Sequence, residues 1–182
     1  MQLHQDVCDV LYTEEQLRQR VAELGAAITR DYQGEEVLMV CTLRGASIFY
    51  CDLIRHIDLD IRLDFIATSS YGADTKSSGE VRLTKDLSSP IAGKNVIIVE
   101  DIIDSGLTLK YLKKLFEARN PKSIKICSLL DKPEGRQTDI AGDYVGFTIP
   151  NAFVVGYGLD YAERYRNLPD VCVLDPRIYT KQ

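Results

Sequence analysis

Leu17, Val21, Leu24 and Ile28 recur at intervals of three or four with charged and polar residues between them, a spacing that predicts an amphipathic helix ending by Gly34. Thr13 and Gln16 precede the stripe at the separation of a capping box, which marks where that helix begins. The period then changes. Val37-Leu-Met-Val-Cys-Thr-Leu43 is a continuous apolar run of strand length and predicts a strand covered on both faces. Gly45 to His56 reads as a helix, and Ile61, Leu63 and Phe65 alternate with Arg62 and Asp64 in a strand predicted to end near Ser69. From Ser70 to Ser78 the residues are small and polar, with Gly72 and Gly79 at the flanks, which predicts a functional loop.

A short strand over Val81 to Lys85 and a Ser88-Ser89-Pro90 turn lead to Val96-Ile-Ile-Val99, the second fully apolar strand. Leu109, Leu112, Leu115 and Phe116 form the core stripe of a helix over 107–119, which Asn120-Pro121 ends. Ile124, Ile126, Ser128 and Leu130 open another strand, and Phe153–Val155 and Val171–Leu174 give two more. Strands and helices alternate, so the predicted class is α/β, a mainly parallel twisted sheet flanked by helices. At 182 residues, one domain spanning 1–182 is expected.

Composition narrows the function. Hydrophobic residues at 45% and charged residues at 27% place the chain among globular proteins and exclude long disorder. With 22 Lys+Arg against 27 Asp+Glu the net charge is −5, the wrong sign for a chain whose main partner is a nucleic acid or an anionic membrane. No apolar run approaches the roughly 18 residues of a spanning helix, and Asp6, Asp9, Glu14 and Glu15 stand where a signal peptide carries basic and apolar residues. The five cysteines form no C-x-x-C and have mostly apolar neighbours, so they are expected to be reduced core thiols of a cytoplasmic protein. His4 and His56 have no partners at metal-ligand spacing and are expected to be structural or exposed.

In an open α/β sheet, ligands bind beyond the carboxyl ends of the strands, which directs attention to Glu100-Asp-Ile-Ile-Asp-Ser-Gly-Leu-Thr108. Glu100 and Asp101 end an apolar strand, where acids need a hydroxyl, a metal or a proton, and Asp104 follows in the loop. Ser105, Gly106 and Thr108 bring hydroxyls and a flexible backbone to a helix start, whose free N–H groups favour phosphate. A phosphate at one end and a polyhydroxylated group at the other describe a ribose 5-phosphate. Other phosphate loops fail on spacing: Ser88 and Asn95 break a Walker A pattern around Gly93-Lys94, and Gly156-Tyr-Gly158 lacks the third glycine of a dinucleotide fingerprint. Taken singly, Glu100, Asp101 and Ser105 are ordinary caps, whereas together every position has a role toward one ligand.

The pattern E-D-I-I-D-S-G-x-T after an apolar strand resembles that of the type I phosphoribosyltransferases, and its Glu-Asp form is similar to that of the bacterial hypoxanthine-guanine members. The resemblance runs along nearly the whole chain. Leu43-Arg44-Gly45 looks like the family's pyrophosphate loop, Ser70-Tyr71 like the lid, and Leu129–Lys132 with Arg136 like the base-recognition segment. Phe153-Val154 through Asp160-Tyr161, with Tyr165-Arg166, looks like the purine-stacking and metal region. Leu107 departs from relatives with a polar or basic residue there, and Arg44 replaces the lysine of some.

The resemblance implies a small hood formed by the terminal segments and transfer of a phosphoribosyl group from phosphoribosyl diphosphate to hypoxanthine or guanine. It implies that Glu100, Asp101, Ile103, Asp104, Ser105, Gly106, Leu107 and Thr108 hold the ribose and 5′-phosphate, with Asp104 the acid or base at the purine N7. Lys132, Phe153, Val154 and Asp160 would hold the purine, and Arg44 and Arg166 the diphosphate. Mg²⁺ would rest on Glu100, Asp101 and Asp160, and the assembly would be a homodimer or homotetramer. Two alternatives stay open: a preference for xanthine, and a nucleotide-sensing regulator on the same fold that binds RNA. The Phe153–Asp160 segment and the acidic balance argue against the second.

Overall fold

A computed structural model describes residues 5–70 and 81–180, and the predicted class is borne out. β2 (Val37–Leu43), β3 (Ile61–Ser70), β4 (Val81–Lys85), β5 (Asn95–Ile103), β6 (Ser123–Asp131) and β7 (Tyr144–Thr148) form a six-stranded sheet in the order β4-β3-β2-β5-β6-β7. Every pair in it is parallel except β3 with β4. The remaining strands, β1 (Val7–Tyr12), β8 (Val154–Val155) and β9 (Val171–Leu174), make a small antiparallel sheet in the order β1-β9-β8, so the two ends of the chain meet.

The continuous apolar runs have the cause that the sequence suggests. Successive residues of β2 and β5 point to opposite faces, and both faces are covered. Val37, Met39, Cys41, Ile97 and Val99 pack with Leu17, Val21, Leu24 and Ile28 of α1 (Glu14–Asp31) and with Phe49, Tyr50 and Leu53 of α2 (Ser47–Ile54). Leu38, Val40, Val96 and Ile98 pack on the other side against Leu109, Leu112 and Phe116 of α3 (Leu107–Glu117). Thr13 and Gln16 close the capping box at the start of α1. A third cluster, Val155, Tyr165, Leu168, Cys172 and Leu174, underlies the small sheet, which α4 (Pro176–Tyr179) follows.

Several boundaries shift. α2 starts at Ser47 and stops at Ile54, shorter than 45–56, because Gly45 belongs to a loop packed against Asp101. α3 ends at Glu117, and Tyr111 and Leu115 on its stripe are only half-buried. β3 runs to Ser70, and the rest of the expected loop, Tyr71 included, lies outside the described residues. β1 precedes the first helix and β7 follows β6, two strands that the apolar pattern does not reveal because their side chains are mostly half-buried or exposed. The cysteines also divide. Cys41, Cys127 and Cys172 are buried free thiols, whereas Cys8 and Cys51 are exposed free thiols, a correction to the expectation of five core residues. Cys8 lies on the two-sided edge of the small sheet and Cys51 on the solvent side of α2. His56 is exposed, as expected, and His4 lies outside the described residues. Among the described residues no helix is long and apolar enough to cross a membrane.

Candidate active site

From β2 the sheet grows through α2 to β3 on one side, and from β5 through α3 to β6 on the other, so the strand order reverses between β2 and β5. Loops leaving the carboxyl ends of two such strands diverge, and the crevice between them receives ligands. A cavity of about 310 Å³ lies there, and its lining includes Arg44, Gly45, Glu100, Asp101, Asp104, Ser105, Thr108, Asp160 and Arg166. Leu43, Ile103 and Gly106 line it as well. Elements far apart in the chain therefore bring together the strand-end acids, the helix-start loop and the 43–45 loop. The larger cavity, about 550 Å³ between α1, α2 and residues 167–169, lies away from this crevice and contains none of these loops.

Two close approaches to the 43–45 backbone hold the crevice together, one by the Asp101 side chain and one by the backbone at Gly158. A Cβ at Gly45 would stand 1.7 Å from Asp101 Oδ2, and a Cβ at Gly158, where φ is +102°, would stand 2.1 Å from the carbonyl oxygen of Gly45. Only hydrogen fits at both points, which draws the segment carrying Asp160 onto the 43–45 loop. Arg166 then fixes that segment: Nη1 donates to the Gly158 carbonyl at 2.8 Å and pairs with Asp160 Oδ1 at 2.9 Å. Asp160 Oδ2 accepts from the Glu163 N–H at 2.9 Å. Arg44, largely exposed, pairs with Glu163 at 2.9 Å.

Glu100 and Asp101 are strained as a pair. Burial, and then the neighbouring Asp101 charge, push the Glu100 carboxyl well above the usual carboxylate range; burial likewise raises Asp101. Hydrogen bonds to the carboxylate act in the opposite sense and offset only part of this: Thr42 Oγ1 lies 2.7 Å from Glu100 Oε1 and the Asp101 N–H donates to the same oxygen at 3.3 Å. Thr42 Oγ1 also lies 2.9 Å from the Val99 carbonyl, so its single proton is shared between two acceptors. Asp101 Oδ1 accepts from the Ile102 N–H at 2.8 Å. Such acids favour any ligand that supplies positive charge or hydroxyl donors. Among the described residues no three acids, histidines or cysteines converge as a protein-only metal cage. Hard, oxygen-bound cations that keep waters and substrate phosphates as ligands fit two carboxylates of this kind.

Beside this crevice, on the β6 side, Lys132 is 9% exposed and its Nζ lies 2.6 Å from Asp104 Oδ2. An ammonium buried to that degree needs an anion, and Asp104 supplies it from the more exposed end of the pair. The sequence reading named both residues without linking them, and no spacing rule could have done so, since the pairing depends on β5 and β6 being neighbours. Phe153 is 39% exposed. Its ring stacks on Tyr179 with centroids 5.0 Å apart and meets Tyr161 edge-on at 5.6 Å. Tyr161 closes the segment that the sequence reading assigned to this region, and Tyr179 is an addition to the aromatic end of the site that it missed. Val154 is buried and pairs with Val173 in the small sheet, so its side chain is not exposed to a ligand. Arg136, grouped with Lys132 in the sequence reading, instead donates to the carbonyl groups of Ile103, Asp104 and Ile140 and to the Asp131 carboxylate. Lys132, Phe153 and Val154 do not line the acidic crevice itself.

Comparison with known proteins gives one answer. The phosphoribosyl transferase domain family matches residues 8–162. The hypoxanthine-guanine phosphoribosyltransferase of Bacillus subtilis (strain 168) is 56% identical over 174 residues, covering 96% of this chain and 97% of the relative. Among solved structures, a hypoxanthine phosphoribosyltransferase from Staphylococcus aureus matches with a TM-score of 0.96 and 47% identity, over 100% of this chain and 98% of its own. A hypoxanthine-guanine phosphoribosyltransferase from Bacillus anthracis matches with a TM-score of 0.87 and 51% identity, over 93% and 98%. Acids at the end of β5, a helix-start loop beside them and a matching sequence along most of the chain agree, and the chain belongs to the phosphoribosyl transferase family.

Proposed function

We propose that this protein transfers the 5-phosphoribosyl group from phosphoribosyl diphosphate to N9 of hypoxanthine or guanine, releasing pyrophosphate and forming IMP or GMP. The observation that carries the reading is the Lys132–Asp104 pair beside the loop 104–108, a cationic donor and an acid set next to a phosphate-binding helix start. Relatives from Bacillus subtilis, 56% identical, and Streptococcus thermophilus, 50% identical, are named for this activity. In this reaction the ribose C1–oxygen bond to the diphosphate breaks, the C1–N9 bond forms, and the proton on N7 leaves the base. Asp104 takes that proton, while Lys132 donates to the 6-oxo group. Phe153 offers its ring to the purine face, a contact worth about 1 to 3 kcal/mol per base. Glu100 and Asp101 accept from the ribose hydroxyls, residues 104–108 hold the 5′-phosphate, and Arg44 and Arg166 face the diphosphate.

A Mg²⁺ ion bound with the substrate would supply positive charge to offset that of the departing diphosphate. Glu100, Asp101 and Asp160 are the residues that would hold it, and Asp160 is also engaged by Arg166 and by the Glu163 N–H. Developing positive charge at the ribose is met by the same two carboxylates, so electrostatic placement carries most of the catalysis. The lid around Ser70-Tyr71 excludes water from it. Five free thiols support a cytoplasmic setting, and the expected assembly is a homodimer or homotetramer, which light scattering measures.

A spectroscopic assay with phosphoribosyl diphosphate, Mg²⁺ and hypoxanthine, guanine, xanthine, adenine or uracil tests the reading. Adenine is expected to react at least about 10³-fold more slowly than hypoxanthine, because its 6-amino group leaves the Lys132 ammonium without an acceptor. Similar kcat/KM for the two would end the assignment. Lys132→Ala is expected to raise KM for the purine by about tenfold or more and to leave that for phosphoribosyl diphosphate nearly unchanged. Xanthine outrunning both bases would move the preference without changing the chemistry.

A further inference from the structure

A phosphate loop works only if its peptide N–H groups face the ligand, and in a trans peptide the C=O points the opposite way. What holds the carbonyls therefore decides what the loop can bind. In the segment 103–105 each carbonyl is held from the β6 side. The Ile103 carbonyl accepts from the Lys132 N–H at 3.0 Å and from Arg136 Nη2 at 3.4 Å. The Asp104 carbonyl accepts from Arg136 Nε at 3.1 Å. The Ser105 carbonyl accepts from the Gln137 N–H at 2.9 Å and from Thr138 Oγ1 at 3.4 Å. Among the described residues the N–H groups of Ser105 and Gly106 donate to no protein acceptor. They are the other ends of the peptides whose carbonyls are held.

Arg136 is the centre of this arrangement. Its guanidinium is anchored by the Asp131 carboxylate at the end of β6 and by the Ile140 carbonyl, which leaves it little freedom to leave the loop. Its side chain is mostly buried. Gly106 provides a separate observation: a Cβ there would stand 2.2 Å from Thr138 Oγ1 and 3.2 Å from Arg136 Cδ, so the loop backbone lies directly on these two side chains. A planar fork with several fixed donors reaches the carbonyls of Ile103, Asp104 and Ile140 and the Asp131 carboxylate from one side chain, whereas a lysine offers its donors from a single point.

We propose that Arg136 is a positioning residue: it gathers the carbonyls of Ile103 and Asp104, with Thr138 under Ser105, and so turns the N–H groups of residues 104–106 toward the 5′-phosphate. Arg136 touches no substrate in this role. The inference rests on the reading that residues 104–108 hold that phosphate, and the test separates the two.

Binding of IMP, of inosine and of pyrophosphate with Mg²⁺ is measured by calorimetry or competition for wild type, Arg136→Lys, Thr138→Val and Thr108→Val. Arg136→Lys keeps the charge and is expected to weaken IMP by about 10- to 100-fold, the range of one or two charge-assisted hydrogen bonds. Inosine and pyrophosphate are expected to stay within about twofold, since neither needs the oriented N–H groups. Thr138→Val, a milder change, is expected to weaken IMP by a smaller factor in the same sense. The IMP-to-inosine ratio is the readout that general destabilisation would not move. Equal losses for IMP and inosine, or no loss in either Arg136→Lys or Thr138→Val, overturn the proposal. If Thr108→Val leaves IMP binding unchanged, the cradle reading falls and the proposal with it; if Thr108→Val weakens IMP while Arg136→Lys does not, only the proposal falls.

Discussion

Asp104→Asn is expected to lower kcat by about 10²- to 10³-fold while binding of phosphoribosyl diphosphate changes little. The asparagine keeps a carbonyl oxygen near Lys132 Nζ, which lies 2.6 Å from Asp104 Oδ2, and so keeps a hydrogen bond to the buried ammonium. What it removes is basicity. Steady-state kinetics with direct binding of phosphoribosyl diphosphate checks this split. Asp104→Ala is the informative companion, because it also leaves the ammonium without its partner and is expected to weaken purine binding in addition. Near-normal kcat in Asp104→Asn would pass the proton to water or another group, and a binding defect with intact kcat would reduce Asp104 to a loop brace.

Glu100→Gln with Asp101→Asn is expected to abolish most turnover and, in the absence of substrate, to stabilise the fold. Turnover should fall by at least about 10³-fold, the scale of removing preorganised charge from a transition state. Stability should move the other way because both carboxyls have raised pKa values in the folded protein, from burial in each case and, at Glu100, from the neighbouring Asp101 charge as well. An acid with a raised folded pKa contributes stability that is fully present below the unfolded carboxylate range, near pH 4, and is lost as the pH rises through the folded value. The wild type therefore carries a penalty at pH 8 that the amides lack. Thermal melts should show little difference between the two near pH 4 and a Tm higher by roughly 2 to 8 °C in the variant at pH 8, the range for about 1 to 2 kcal/mol in a domain of this size. A variant that melts below wild type at pH 8 would show that these acids are not strained. Addition of Mg²⁺ with phosphoribosyl diphosphate should reverse the order, since only the wild type binds both well.

Strain of this kind is a working state. Two acids held at the carboxyl end of β5 cost stability without ligand, and under the proposed function the same cost becomes affinity for a cation and hydroxyls that relieve it. The close approaches of Gly45 to Asp101 and of Gly158 to Gly45 keep the acids from relaxing into solvent. The aromatic end is built differently. Phe153 rests on Tyr179 of the last helix, so the proposed purine side of the site depends on the chain's C-terminal segment and the proposed phosphate side on the middle of the chain.

Local sequence determined what depends on local physics. The capped helix from Thr13, the doubly buried strands at Val37–Leu43 and Val96–Val99, and the acid-rich loop that follows the latter are all legible, because periodicity and continuous apolarity report directly which faces are covered. The edge strands β1 and β7 are not legible, because half-exposed residues carry little hydrophobic signal and owe their conformation to a neighbour's hydrogen bonds. The site divides in the same way. Glu100, Asp101 and Asp104 are adjacent along the chain and announce themselves, whereas the Lys132–Asp104 pair and the Arg136 brace exist only because β6 lies beside β5. Sequence spacing names the groups that can do chemistry; strand order decides which of them meet, since contacts across a parallel sheet join residues about thirty positions apart that no local pattern connects.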